Sequence, residues 1–216
     1  MPTNNLQLNN TVVVYISTFD RNLVVGDVEP AIRSEFIQRC TDTLTKQQSY
    51  SVWRLLDYAL RDCYGVGVDH FDFTISDNGK WCCNGVYFSL THCDNVVGVA
   101  VCNSPVGVDI EAVASFIRHV DNDGFVERVL TDSEQSVLKK TPLNHRVETL
   151  ARFWTQKESI FKMRDSATFV PNTIDTVKNF SCSQLVTLAE QTYMLSVATQ
   201  IATNVEVKHV KTKWQV

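Results

Sequence analysis

The sequence has 216 residues and a formal net charge of −4, with 44% hydrophobic and 20% charged residues. A chain of this length forms one large domain or two small ones, and it can bury enough surface to fold without disulfides. Its 8 glycines and 5 prolines exclude a collagen-like or disordered protein. The mildly acidic charge argues against a protein that coats nucleic acid, and no apolar run reaches the roughly 18–20 residues that span a bilayer.

Cysteine usage and the start of the sequence favour a cytoplasmic protein. The cysteines number seven, an odd count, and no C-x-x-C pair occurs. The first residues, Met1-Pro-Thr-Asn-Asn-Leu-Gln, have neither the basic flank nor the apolar segment of a signal peptide. We therefore expect reduced thiols that pack as small hydrophobic side chains.

The first half of the chain alternates between strand and helix patterns. A β-branched segment over 11–17 predicts a buried strand. Helices are predicted over 30–45 and 50–64, the second with apolar residues at 3.6-residue spacing. Asn78-Gly79 predicts a turn between the first two of three further strands. Those strands are expected over 71–75, 85–90 and 96–101.

The pattern restarts after Pro105 with a short strand over 106–111. Thr131 and Glu134 have the spacing of a capping box. The expected helices cover 124–130, 131–140 and 147–164, and the expected strands cover 175–182, 184–189, 193–198 and 205–210. We therefore predict an α+β fold of two similar halves, 1–104 and 105–216, each with a small antiparallel sheet packed on helices. The functional site is expected in the cleft between the halves.

The segment Val106-Gly-Val-Asp-Ile-Glu111 carries the first candidate site. Because strand side chains alternate between faces, Gly107, Asp109 and Glu111 share one face. The two carboxylates, about 7 Å apart at the backbone, can converge on a hard cation such as Mg²⁺. Gly107 leaves room there for a ligand or for close approach of another backbone. The alternative is an ordinary strand with a solvated polar face.

Glu158 and Lys162, on the last predicted helix, form the second candidate site. They lie at i and i+4, about 40° apart around the helix. The alternative is an ordinary surface ion pair. However, apolar neighbours cover more than half of this helix, so the pair is expected to be partly buried, with a metal and phosphates as partners. Those neighbours are Phe153, Trp154, Ile160 and Phe161.

Thr91 and His92, at the end of a strand, form the third candidate site. Both side chains can donate hydrogen bonds to a phosphate, although a single histidine is more often structural. Lys80 follows the Asn78-Gly79 turn, and a lysine in such a turn can also have no function.

Taken in order, four segments resemble the 4′-phosphopantetheinyl transferases, most closely the pseudo-dimeric type that activates surfactin synthetase. The resemblance extends over about residues 46–200, and the last two motifs are specific as a pair. The segments are Gly79-Lys80, Ser89-Leu-Thr-His92, Gly107-Val-Asp-Ile-Glu111 and Trp154-Thr-Gln-Lys-Glu-Ser-Ile-Phe-Lys162.

The resemblance implies transfer of the phosphopantetheine arm of coenzyme A to a serine of an acyl or peptidyl carrier protein, with release of adenosine 3′,5′-bisphosphate. It assigns Mg²⁺ ligation to Asp109, Glu111 and Glu158. Glu158 is also the candidate base for the carrier serine, and Asp109 and Lys162 are the other catalytic candidates. The implied coenzyme A contacts are Lys80, Thr91, His92 and Lys162, and Lys157 is expected to orient Glu158 or to meet phosphate. We expect a monomer whose site lies between the halves, with no nucleic-acid or membrane partner.

The sequence departs from the family pattern at three points. Trp81 follows Lys80 where a proline is common, and Thr91 replaces a serine. Family members often have an arginine before the second helix that binds the 3′-phosphate of coenzyme A; Ser49 stands near that position here, and the nearest cations are Lys46 and Arg54.

Two other functions are compatible with the same residues. A catalytically silent module that binds coenzyme A or a carrier protein is disfavoured because all three expected acids are present. A Mg²⁺-dependent phosphohydrolase built on the same acids is the other alternative. Fatty acid, polyketide and nonribosomal peptide carriers remain equally possible acceptors.

Overall fold

The computed structural model describes residues 11–176, 180–201 and 203–211. These residues form a mixed α+β fold, which confirms the predicted fold class. The helices are α1 (Ala31–Arg39), α2 (Thr43–Tyr64), α3 (Asp123–Val129), α4 (Asp132–Lys140) and α5 (Leu143–Arg164). The strands are β1 (Thr11–Thr18), β2 (Phe73–Ile75), β3 (Trp81–Cys83), β4 (Tyr87–Cys93), β5 (Val96–Cys102), β6 (Val106–Ala112), β7 (Phe180–Leu188), β8 (Gln191–Thr199) and β9 (Asn204–His209).

The two larger sheets pack face to face between the two long helices. The first sheet has the order β4-β5-β1-β9, the second has the order β6-β8-β7, and β2 pairs with β3. In β1, Val13 and Tyr15 face the core formed with α2, whereas Val12 and Val14 face the core shared with the second sheet. Helix α5 packs on the opposite side of that second sheet, against β6 and β8. The candidate residues of β6 therefore lie beneath α5.

Two helices replace the single continuous helix predicted over 30–45. Helix α1 ends at Arg39, and α2 begins at Thr43. The Asp42 carboxylate accepts a 2.7 Å hydrogen bond from the backbone N–H of Thr45. An N-cap of this kind satisfies a backbone donor that has no partner within the helix. The second helix consequently starts earlier than predicted and runs for 22 residues.

The end of the chain adds a strand to the first sheet. Strand β9 pairs with β1 in parallel, with Val12 opposite Val205, whereas antiparallel pairing was predicted. Lys208 fixes this strand to α2 by a 2.7 Å ion pair with Asp62. The added strand covers an edge of β1 that would otherwise expose unpaired backbone groups.

The structure bears out several local predictions. Thr131 and Glu134 form a capping box at the start of α4, and Gly79 occupies its turn with φ +84°. Strand β3 follows that turn and was not predicted. Strand β7 replaces two predicted strands over 175–182 and 184–189, of which 177–179 lie outside the described residues. No helix in the described part of the chain combines the length and apolar character needed to cross a bilayer.

Candidate active site

Gly107 allows the backbone of α5 to lie directly on β6. A Cβ atom at this position would overlap the carbonyl oxygen of Ser159 and lie 2.6 Å from the backbone nitrogen of Met163. Of the two roles predicted for Gly107, the structure supports the close approach of another backbone rather than space for a ligand. The contact brings Glu158 and Lys162, on α5, against the carboxylates of β6.

Asp109 and Lys162 form an ion pair across this contact. The Lys162 Nζ atom lies 2.7 Å from Oδ1 of Asp109 and donates a longer bond, of 3.3 Å, to the carbonyl oxygen of Val108. Asp109 is 3% exposed, so the acidic face of β6 is covered by protein rather than solvated. The ion pair that the structure gives Lys162 is thus with a buried carboxylate of β6, whereas the surface pair considered from the sequence was with Glu158.

Glu111 and Glu158 are half-buried acids within the electrostatic reach of Asp109. Burial raises the pKa of Glu111 to about 7, and the negative charge of Asp109 adds to this rise. Burial, followed by the charge of Asp109, also raises the pKa of Glu158 to about 7, while Lys162 opposes the rise. The three predicted metal ligands thus form one group of interacting carboxylates, whose ionised forms would be stabilised by an added cation.

Thr91 and His92, from β4, meet this group from the first half of the chain. The buried Thr91 hydroxyl donates a 3.1 Å hydrogen bond to Oδ1 of Asp109. The side chain of His92 is exposed, but the surrounding protein removes part of its hydration. This desolvation, together with the positive charge of Lys162, lowers the pKa of His92. The site therefore contains residues from both sides of the predicted boundary near residue 104.

Lys80 also joins the two sides, through backbone carbonyl groups. Its Nζ atom donates bonds of 2.7 Å to Lys162 O and 3.3 Å to Val106 O. Beside it lies a cavity of about 270 Å³, which is lined by Trp81, Ser89 and Phe161 in addition to these two lysines. Lys80 thus borders the cavity while two of its three donors hold α5 and β6.

Lys157 points away from Glu158, into the protein. Its side chain is 0% exposed, and Nζ lies 2.6 Å from Glu134 Oε2. It also donates hydrogen bonds to the carbonyl oxygens of Pro171 and Ile174, at 3.0 and 2.6 Å. Neighbouring residues of a helix diverge by about 100°. The expected contact with phosphate does not fit this environment, and the structure gives Lys157 a packing role.

The structure provides a different cation near the first half of the site. Arg33, in α1, places its guanidinium 5.6 Å from the ring centre of Trp53 and 5.8 Å from that of Trp81. Its positive charge contributes to lowering the pKa of His92. Of the cations considered from the sequence, Lys46 donates to the carbonyl of Gln38, and Arg54 lines a second cavity. Arg33 lies in the helix before α2 and is a candidate for the 3′-phosphate contact that was not considered from the sequence.

The carboxylate group has the donor chemistry of a Mg²⁺ site without being a complete site. Oδ2 of Asp109 is buried and has no hydrogen-bond partner among the described residues. No three His, Cys, Asp or Glu side chains in this part of the chain converge closely enough to hold a metal. Mg²⁺ commonly takes one or two protein carboxylates and completes its six positions with water and substrate phosphates. The residues present therefore fit a cation that shares its ligands with a bound substrate.

A sequence model of the 4′-phosphopantetheinyl transferase superfamily matches residues 105–214, just over half of the chain. The chain belongs to this superfamily. The match includes Asp109, Glu111, Glu158 and Lys162, and it begins just before β6.

Parts of this chain are similar to two individual proteins. The 4′-phosphopantetheinyl transferase gsp of Aneurinibacillus migulanus is 28% identical over 86 residues, which are 40% of this chain and 34% of that protein. The chain thus matches about a third of the length of this curated relative. A holo-(acyl-carrier-protein) synthase from Bacillus anthracis, solved with CoA (3′,5′-ADP), is 18% identical, with a TM-score of 0.32; the alignment covers 44% of this chain and 95% of that one.

Proposed function

We propose that this protein transfers the 4′-phosphopantetheine group of coenzyme A to a serine of an acyl or peptidyl carrier protein. Membership of the superfamily supports the reaction class. The observation that carries the assignment is the contact of Asp109 with Lys162 and Thr91, because it joins motifs from both sides of the chain in one buried site. The site is proposed to lie between two halves, 1–104 and 105–216, in a protein that acts as a monomer.

In the proposed reaction, the serine oxygen attacks the phosphorus atom that bears the pantetheine arm. The new P–O bond forms as the bond to the bridging pyrophosphate oxygen breaks, and adenosine 3′,5′-bisphosphate leaves. Glu158 accepts the serine proton, directly or through water. A bound cation would favour the ionised form of Glu158, which is the form that can accept a proton. Lys162 and Lys80 supply positive charge near the pyrophosphate, and His92 donates a hydrogen bond to it.

Asp109, Glu111 and Glu158 are the residues proposed to hold Mg²⁺, with one or two of them as direct ligands and the others acting through water, because the three do not converge on one point in the described structure. When bound, the metal would neutralise negative charge that grows on the leaving group. In the absence of a cation, Asp109 has a buried oxygen atom without a partner in the described structure. This arrangement and the raised pKa values of the two glutamates support the assignment.

Intact-mass spectrometry tests this function directly. The protein is incubated with an apo-carrier protein, coenzyme A and Mg²⁺; transfer adds the phosphopantetheine mass to the carrier and releases one equivalent of adenosine 3′,5′-bisphosphate. Binding without transfer would identify a silent binding module. Cleavage of coenzyme A with an unmodified carrier would identify a phosphohydrolase.

A pair of variants links the result to the proposed site. Asp109→Ala should lower turnover at least about 100-fold, which is the scale of losing one preorganised electrostatic contact. Glu127→Ala removes an exposed acid of α3 and should leave turnover unchanged. Equal rates for the two variants at matched thermal stability would contradict the assignment of Asp109.

A further inference from the structure

We infer that Thr91 is a positioning residue rather than a phosphate contact. Together with Lys162, its hydroxyl holds Oδ1 of Asp109, so that Oδ2 is the atom presented to a divalent cation. This inference rests on the proposed function, and it replaces the coenzyme A contact that the family resemblance implied for Thr91. Thr91 acts through Asp109 and touches neither substrate nor metal.

The hydrogen bonds of Thr91 leave little capacity for a phosphate. The side chain is 3% exposed. Its hydroxyl accepts a 3.2 Å bond from the backbone N–H of Ile110 and donates one of 3.1 Å to Asp109. A hydroxyl has a single proton to donate, and here that proton is directed at the carboxylate. Thr91 therefore orients Asp109 relative to the β6 backbone that carries it.

Gly98 creates the space that fixes the orientation of Thr91. The two residues are opposite each other in the β4–β5 pairing. A Cβ atom on Gly98 would lie 2.9 Å from the Thr91 methyl carbon, closer than real carbon atoms approach. A β-branched side chain has few allowed χ1 rotamers. The methyl group in the space above Gly98 thus directs the hydroxyl towards β6.

The two oxygen atoms of Asp109 are in contrasting environments. Oδ1 receives bonds from Thr91 and from the Lys162 ammonium, at 3.1 and 2.7 Å. Oδ2 is buried and receives none within the described structure. Leaving a buried acceptor unsatisfied is unfavourable, and most such atoms in folded proteins have a partner. A divalent cation would satisfy Oδ2, while the donors on Oδ1 fix the plane of the carboxylate.

Ser89 provides a matched comparison on the same strand. Its hydroxyl accepts a 3.1 Å bond from the backbone N–H of Val108. It thus fastens β4 to β6 as Thr91 does, but the structure gives it no bond to Asp109. Loss of either hydroxyl removes one link between the strands, and only loss of the Thr91 hydroxyl frees the carboxylate.

Binding of Mn²⁺, a paramagnetic substitute for Mg²⁺, tests the inference without measuring turnover. Electron paramagnetic resonance gives the concentration of free Mn²⁺, with and without coenzyme A. Thr91→Val keeps the shape of the side chain but removes the hydroxyl, and it should weaken Mn²⁺ binding about 10-fold or more, as is usual when a group that orients a ligand is lost. Thr91→Ser keeps the hydroxyl but lacks the methyl group that orients it, so it should restore only part of the binding. Ser89→Ala, compared without coenzyme A, should keep wild-type affinity even if its melting temperature falls.

The outcomes separate this inference from the alternatives. Equal Mn²⁺ affinity in Thr91→Val and the wild type would overturn it, whatever the change in melting temperature. Thr91→Val could instead keep its Mn²⁺ affinity but bind coenzyme A more weakly in the absence of metal. That result would show that Thr91 contacts a phosphate, and it would also overturn the inference. Wild-type protein that binds no Mn²⁺ would overturn both the inference and the proposed metal site. Wild-type transfer activity with normal Mn²⁺ binding by Thr91→Val would leave the proposed function intact.

Discussion

Gly107 of β6 lies directly beneath the carbonyl oxygen of Ser159 of α5, and a Cβ atom at residue 107 would overlap that oxygen. Ser159 follows Glu158 in the chain and is fully buried. The glycine thus sets the distance between the helix that carries Glu158 and Lys162 and the strand that carries Asp109. The distance between Asp109 and the two candidates on α5 therefore depends on the absence of a side chain at residue 107.

Gly107→Ala should force α5 away from β6. Overpacking of a well-packed core costs about 1–3 kcal/mol, which corresponds to a fall of about 2–12 °C in the melting temperature of a chain of this size. Because a misplacement of about 1 Å can lower a rate 100-fold, kcat should fall more steeply than stability. Thermal melts and steady-state transfer assays on one preparation test both effects.

Gly124→Ala is the control for this substitution. A Cβ atom at Gly124 would lie 3.6 Å from its nearest neighbour, which is an ordinary contact. This variant should melt at or slightly above the wild-type temperature. If Gly107→Ala behaved in the same way, the close packing of α5 on β6 would not govern the site.

Arg33→Ala should weaken the use of coenzyme A in a way that depends on the 3′-phosphate. Arg33 carries a buried Nε atom that has no partner within the described residues. Loss of a charged hydrogen bond worth about 1.5–3 kcal/mol should raise the KM for coenzyme A about 10–100-fold. With dephospho-coenzyme A, which lacks the 3′-phosphate, variant and wild type should have similar KM values. Arg39→Ala removes an exposed arginine of the same helix and should change neither value; equal losses for Arg33→Ala with both substrates would refute the 3′-phosphate contact.

The spacing of residues along the chain predicted the core of the candidate site. Strand alternation placed Asp109 and Glu111 on one face of β6, and the i, i+4 relation placed Glu158 near Lys162. In the structure, the charge of Asp109 acts on both glutamates, and the charge of Lys162 acts on Glu158. Such periodicities are local, so a single sequence is enough to reveal them.

Contacts between residues that lie far apart in the sequence could not be predicted from local sequence patterns. Glu134 was recognised as the third residue of a capping box, but nothing in its neighbourhood predicts that Lys157 reaches it from α5. The contact between Thr91 and Asp109 likewise arises where two sheet edges meet. Arg33 is not among the cations near the second helix predicted over 50–64, because the structure begins that helix earlier, at Thr43, and adds α1 before it.

Lys157→Met should destabilise the protein without a direct effect on coenzyme A binding. The substitution leaves the carboxylate of Glu134, which is 1% exposed, buried without its cation. Breaking a buried ion pair in this way costs about 3–5 kcal/mol, or about 6–20 °C in melting temperature. The KM for coenzyme A, measured well below the transition, should stay at the wild-type value. Lys140→Met removes an exposed lysine of α4 and should change neither quantity; a higher KM at an unchanged melting temperature would instead favour a phosphate contact for Lys157.

Lys162→Met should lower kcat about 100- to 1,000-fold, because phosphoryl transfer depends on charge stabilisation and this lysine supplies a positive charge to the site. Methionine keeps most of the aliphatic stem that packs on the helix, so the fall in kcat should reflect the missing positive charge rather than lost packing. The Lys162 side chain is 28% exposed, and the melting temperature should therefore fall less than in Lys157→Met. Lys162→Arg should restore part of the rate, since its planar guanidinium cannot reproduce the position of the ammonium. If Lys162→Met kept wild-type turnover with only a small loss of stability, the ion pair with Asp109 would be structural.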